Sequence, residues 1–195
     1  MVQPQFSFER MVSIVEAVRD RARRTASALE RAGISHAVVG GNAVAAWVMS
    51  VDARAGRNTQ DVDVLVRRGD VERVIPAMES AGFIHRHAAG VDLFLDGPEG
   101  TARTGVHLVY AGEKVRPEYP MPAPDVSESR MGPEYRILNL DALVRMKLTS
   151  FRMLDQVHVM DLMDVGLVDE SWVERLPVPL GERLRSVMEA REREA

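Results

Sequence analysis

Apolar residues at Met11, Ile14, Val15, Val18, Ala22, Ala26 and Leu29 recur close to the helical period, with charged residues between them. That pattern predicts a long amphipathic helix over residues 7–32, stopped by Gly33. From Ser35 the chain is almost continuously apolar up to Gly40-Gly41, and a helical pattern then resumes over 42–51. Strand, glycine turn, helix is the expected reading. Residues 52–60 read as a loop, 61–66 as a strand rich in β-branched residues, and 70–81 as a helix closed by Gly82. Two strand candidates follow, one over 84–95 with a bend at 88–90, and one over 105–110. Residues 116–139 are proline-rich with little apolar periodicity and read as an extended connector. Helical patterns return over 140–153, 156–165 and 180–194. The expected organisation is a mixed α/β core with its first helix over 1–115, the connector over 116–139, and a helical segment over 140–195.

Composition narrows the classes. A chain of 195 residues with 46% hydrophobic content supports one sizeable core. The formal net charge of -4 gives no general attraction to a polyphosphate backbone. Any nucleic-acid contact would be local, and two arginine-bearing patches are candidates: Arg19, Arg21, Arg23 and Arg24, and Arg145, Lys147 and Arg152. With no cysteine, disulfides and thiolate metal sites are excluded. The first residues lack the basic and apolar succession of a secretory signal, and no apolar run reaches eighteen residues. These features predict a cytoplasmic protein that does not enter a membrane.

The chemistry concentrates in residues 37–66, AVVGGNAVAAWVMSVDARAGRNTQDVDVLV. Asp61 and Asp63 are two apart on a predicted strand and therefore share a face. Two carboxylates so placed repel each other unless a cation lies between them. Mg²⁺, a hard ion held by carboxylates and phosphate oxygens, is the natural candidate, with Mn²⁺ as the alternative. Gly40 and Gly41 allow close approach of backbone N–H groups to a ligand, and the N-terminus of the following helix adds donors for an anion. Arg57 in the preceding loop offers a cation for a phosphate. Taken singly, Gly40-Gly41 is also an ordinary strand-to-helix turn, and the acids also suit a solvated strand edge. The combination favours a metal and phosphate site.

This set of motifs resembles the nucleotidyltransferase superfamily, in which Gly-Gly or Gly-Ser is followed by paired acids. Here the segment is GGNAVAAWVMSVDARAGRNTQDVD, with Arg57, Thr59, Asp61 and Asp63 at the matching places. Within the superfamily it looks most like the AbiEii and minimal nucleotidyltransferase group, which includes toxins and antitoxins. LVRMKLTSFRMLDQVHVMDLMD, with Lys147, Arg152, Asp155 and Asp161, corresponds to that group's helix carrying a lysine and then an Arg-x-x-Asp run. The resemblance implies a nucleotidyltransferase-fold core with a small mixed sheet. It also implies Mg²⁺ on Asp61 and Asp63, phosphates on Gly40, Gly41 and Asn42, and a nucleotide-binding role for Arg57, Thr59 and Lys147. The implied reaction moves a nucleoside monophosphate from an NTP to a hydroxyl of a tRNA, a protein or a small molecule. A protein partner of the toxin–antitoxin type is implied as well.

Family members that catalyse transfer carry a third carboxylate on a neighbouring strand. Two segments compete for that place: GVDLFLDG supplies Asp92 as a metal ligand, and GVHLVYAGEKVR supplies His107, a ligand or a base. With Asp92 the acidic site is complete. With His107 it is altered, and a catalytically degenerate module that binds nucleotide or protein, antitoxin-like, becomes the alternative. A phosphate-ester hydrolase using the same carboxylates is a third reading. His85 and His87 are expected to face solvent, and His36 and His158 draw no functional reading.

Overall fold

The computed structural model describes residues 8–88 and 90–194; Ser7 at the predicted helix start and Ala89 in the predicted bend lie outside them. The amphipathic pattern forms helix α1 (Phe8–Arg31). Gly33 closes it with φ of 63°, a left-handed conformation that glycine adopts without a Cβ penalty. Strand β1 (His36–Val39) is buried along its whole length and runs directly into α2 (Gly40–Met49). The loop then leads to β2 (Val62–Val66), followed by α3 (Val71–Ser80). The long 84–95 candidate is two strands, β3 (Phe83–Ala88) and β4 (Val91–Asp96), paired antiparallel. Gly90 turns the hairpin with φ of 78°. β5 (Val106–Tyr110) completes the predicted set.

The connector contains regular structure that its composition does not announce. β6 (Ser129–Met131) and β7 (Arg136–Leu138) form an antiparallel pair, and β7 lies parallel to β1. The result is one seven-stranded mixed sheet in the order β3-β4-β5-β2-β1-β7-β6. β2 sits in the middle, antiparallel to β1 and parallel to β5. This is the mixed α/β architecture of a nucleotidyltransferase fold.

The predicted helix over 140–153 is shorter. α4 (Leu140–Ser150) ends where Phe151 adopts φ of 53°, and α5 (Met153–Asp164) starts at once. Asp155 makes this break: it accepts from the Ser150 hydroxyl at 2.7 Å and from the Arg152 N–H at 3.2 Å, capping the new helix. A short α6 (Trp172–Arg175) and a terminal α7 (Val178–Glu194) follow. α4 and α5 pack against α2, so the helical segment and the sheet share one core that includes Val38, Val64, Leu143, Leu162 and Leu184. No helix among the described residues is long and apolar enough to cross a membrane.

Candidate active site

The register of three strands builds the site. Val39, the last residue of β1, lies opposite Asp63, and Asp63 lies opposite His107 on β5. Asp61 stands just before β2, and ligand atoms of Asp61, Asp63 and His107 all fall within 4.8 Å of one another. Thr59 fixes Asp61 by donating its hydroxyl to Oδ1 at 2.7 Å, while the Asn42 amide donates to the Asp61 carbonyl at 2.8 Å. The Asn42 side chain thus braces the loop from within α2.

Gly40 is required by this geometry. Its φ is 64°, and a Cβ placed there would lie 2.1 Å from Asp63 Oδ2. Gly40→Ala is expected to cost about 1–3 kcal/mol of stability through backbone strain. By pushing Asp63 aside it should also weaken divalent-metal binding about tenfold or more. A melting curve and a Mn²⁺ titration of the variant check both.

Burial pushes the Asp63 carboxyl above its ordinary value, and the neighbouring Asp61 charge adds to the rise; Lys147, His107 and Arg152 oppose it. Ionising Asp63 is therefore costlier than for a free carboxyl, and a bound cation would offset that cost. His107 is prepared for the same cation. Its Nε2 donates to the Ala102 carbonyl at 2.7 Å, so in the neutral ring the proton sits there and Nδ1, 3.9 Å from Asp63 Oδ1, is the nitrogen open to a metal. Two carboxylates and one oriented imidazole fit a divalent metal.

Asp92 is elsewhere. Leu93 is the residue of β4 that pairs with His107, so the adjacent Asp92 projects from the opposite face of the sheet. There it accepts from His85 Nε2 and His87 Nδ1, each at 2.9 Å, and from the Tyr110 hydroxyl. Burial would raise its pKa, but these three bonds hold it at about 2. His87 is exposed, as expected, while His85 is largely covered, and both are partners of this buried acid. The third place beside the aspartates belongs to His107.

The helical segment forms the other wall. The break after Ser150 lets Lys147 and Arg152 converge on Asp155, at 3.0 and 2.8 Å. Lys147 and Asp155 are both buried. Arg57 leaves the loop to pair with Asp161 of α5 at 2.6 Å. His158, one turn from each of these acids on α5, is buried, and its Cε1 would lie 3.6 Å from a Cβ at Gly41. Burial first, then the charge of Lys147, pushes its pKa down to about 4, so it is neutral at physiological pH. Sequence alone carried no signal for His158; its role as a wall behind the glycine turn depends on the packing of α5 against α2. The arginines of both patches are held in ion pairs, with several cations sharing one carboxylate. Arg19 and Arg23 pair with Glu134, Arg21 and Arg24 with Asp96, and Arg145 with Glu128 and Asp141.

The sheet order, the glycine turn into α2 and the acids at the head of the central strand define the nucleotidyltransferase fold. Comparison with known proteins places the likeness in structure: no protein-family model matches the chain, and no curated protein matches it. Among solved structures it is similar to an antigenic nucleotidyltransferase-like protein from Paracoccidioides brasiliensis. That match has a TM-score of 0.57 over 91% of this chain and 89% of the other, at 15% identity. The antibiotic-resistance factor ANT(2'')-Ia matches over 96% of both chains at 13% identity and a TM-score of 0.49. At 15% identity the first of these matches shows the fold and nothing further.

Proposed function

We propose that this protein is a metal-dependent nucleotidyltransferase that moves a nucleoside monophosphate from an NTP to an acceptor hydroxyl. The observation that carries the reading is the cluster of Asp61, Asp63 and His107 facing the Gly40-Gly41 entry to α2 on a nucleotidyltransferase fold. Asp61, Asp63 and the Nδ1 of His107 would hold the ion. When bound, a divalent metal neutralises triphosphate charge and lowers the pKa of an attacking hydroxyl.

The chain supplies the rest by position. The first backbone N–H groups of α2 orient the phosphates, and the helix dipole favours their charge. Thr59 and Asn42 keep Asp61 in place, and the cations of Lys147 and Arg152 add positive potential at Asp63. In the reaction the acceptor hydroxyl gives its proton to solvent as its oxygen bonds to the α-phosphorus, the bond from the α-phosphorus to the bridging oxygen of the β-phosphate breaks, and pyrophosphate leaves with the electron pair. The acceptor we favour is a small-molecule or protein hydroxyl over a tRNA, since the net charge of -4 gives no general attraction to a polyphosphate and the arginines of both candidate patches are held in ion pairs.

The test is calorimetric titration of ATP, GTP, CTP and UTP with Mg²⁺ or Mn²⁺ into the wild type and into Asp61→Ala/Asp63→Ala. Metal-dependent binding lost in the double variant supports the reading, and labelled NTP then identifies the acceptor. Absence of binding with every NTP and both metals refutes it. His107 favours a second reading, a nucleotide-binding module with altered chemistry such as an antitoxin-like partner, since an imidazole replaces a third acid. It also sets a metal preference, because imidazole suits Mn²⁺ better than Mg²⁺. His107→Asp is expected to shift the ratio of Mn²⁺ to Mg²⁺ affinity toward Mg²⁺ by about tenfold, read by titrating each metal in turn.

A further inference from the structure

On the face of the sheet opposite the aspartates of the transfer site, the β3–β4 hairpin gathers a second set of side chains able to ligate a metal. His85 and His87 are two apart on β3 and project from one face, and Asp92 of β4 stands directly across from His87. An ionised carboxylate accepts and does not donate. Asp92 Oδ1 therefore takes one N–H from His85 Nε2 and another from His87 Nδ1, each at 2.9 Å. Two imidazole nitrogens thus converge on a single carboxylate oxygen. The carboxylate is also oriented: the Tyr110 hydroxyl donates to the other oxygen, Oδ2, and leaves Oδ1 to the histidines. Phe94 backs the His85 ring, with centroids 5.2 Å apart.

Charge and access both suit a cation. Arg68 lies over the Tyr110 ring at 3.7 Å, and Glu113 takes two nitrogens of its guanidinium at 2.6 Å each. Arg86, between the two histidines in sequence, projects from the other face of β3. Asp92 is buried, whereas the side chains of His85 and His87 are 22% and 60% exposed, so the histidines line the way in.

We infer that His85, His87 and Asp92 form a second metal site, for a divalent transition ion that favours imidazole, Zn²⁺ above all. Zinc ligands at about 2.0–2.2 Å in a tetrahedron lie about 3.4 Å from one another, so each 2.9 Å hydrogen bond opens by about half an ångström. The ion takes the place of the two donated protons, which in the neutral rings move to the outer nitrogens, His85 Nδ1 and His87 Nε2. Water completes the sphere. Among the described residues only Asp61, Asp63 and His107 already hold three ligand atoms within 4.8 Å of one another, so here the two rings close on the ion as it binds. His87 has room to do so, being exposed and beside the hairpin turn. A bound ion would clamp β3, the edge strand of the sheet, to β4. The site does not depend on the transfer chemistry proposed for the other face.

The experiment is a Zn²⁺ titration of the full ¹⁵N-labelled chain carrying Asp61→Ala/Asp63→Ala, which removes the competing aspartates, followed through the ring ¹⁵N signals of the five histidines. Mg²⁺ is the control. The signals of His85 and His87 are expected to move together, saturate at one equivalent, and show His85 Nε2 and His87 Nδ1 as the metal-bound nitrogens, with no response to Mg²⁺. The same signals report residue by residue in the wild type. His87→Ala, at an exposed position, and His85→Ala should each weaken Zn²⁺ binding, read by calorimetry, by at least about the tenfold that loss of an outer-shell partner costs. Signals of both rings that stay in place at saturating Zn²⁺ overturn the proposal. So does movement of His87 alone, which marks a single surface imidazole, an equal response to Mg²⁺, or unchanged affinity in His87→Ala.

Discussion

Asp63→Asn is expected to reduce metal-dependent nucleotidyl transfer by on the order of 10³-fold while making the metal-free protein more resistant to heat. The two effects share one cause. Burial and Asp61 disfavour the ionised carboxylate and raise its pKa in the folded state. A raised acid weakens the fold once pH exceeds its unfolded value, and the penalty is complete above the folded value. An amide of the same shape removes that penalty and with it the ligand that a cation needs. Differential melting curves without metal, paired with NTP turnover in Mg²⁺ and Mn²⁺, measure both. A variant that loses activity and also melts lower would show that Asp63 holds the fold together instead of storing repulsion for a metal. In the wild type, metal should raise the melting temperature at neutral pH, and this gain should fade as pH falls and protons compete for Asp63.

Lys147→Met is the second large effect, and it falls on stability. Lys147 and Asp155 form a buried pair with side-chain exposures of 6% and 1%. Removing the cation leaves a buried carboxylate that only Arg152, Ser150 and a backbone N–H still address. The expected loss is about 3 kcal/mol, a drop in melting temperature of about 6–12 °C for a chain of this length. Urea denaturation of Lys147→Met, Asp155→Asn and the double variant tests it. If the double variant is no more stable than Lys147→Met, the buried charge is not the source of the loss. The same acid sets a limit at low pH. Burial would raise Asp155, but Arg152, Lys147 and Ser150 hold it at about 2, below its ordinary 3.8. Its contribution is therefore present above pH about 4 and is lost as pH falls toward 2.

The parts of the fold that sequence displayed are those with a period or a break. The residues ahead of Gly40-Gly41, the helix after them and the valine-rich strand beyond Asp61 each carried a pattern long enough to show its kind. β6 and β7 did not, since three residues are too few to alternate and their partners come from β1 and from each other. The α4–α5 break was legible but set a few residues late, after 153, because Phe151, which is neither glycine nor proline, takes the left-handed turn. Asp61 and Asp63 were legible as candidates from their spacing taken together with Gly40-Gly41 and Arg57. The choice between Asp92 and His107 was not, because it depends on which residue of β4 stands opposite which residue of β5. Asp92, flanked by Val91 and Leu93, matched a sequence expectation for a metal ligand and instead anchors two histidines and a tyrosine on the far side of the sheet. Arg57 was placed beside the site but not onto Asp161, a residue 104 positions away.

That Arg57–Asp161 clasp makes the last third of the chain part of the working apparatus. A fragment ending at residue 139 would keep both aspartates, His107 and the glycine turn, yet the loop carrying Thr59 would lose the Arg57–Asp161 tether to α5. A partner that gripped α5 from outside and drew it back would slacken that loop, and through Thr59 the hold on Asp61, without touching the aspartates themselves.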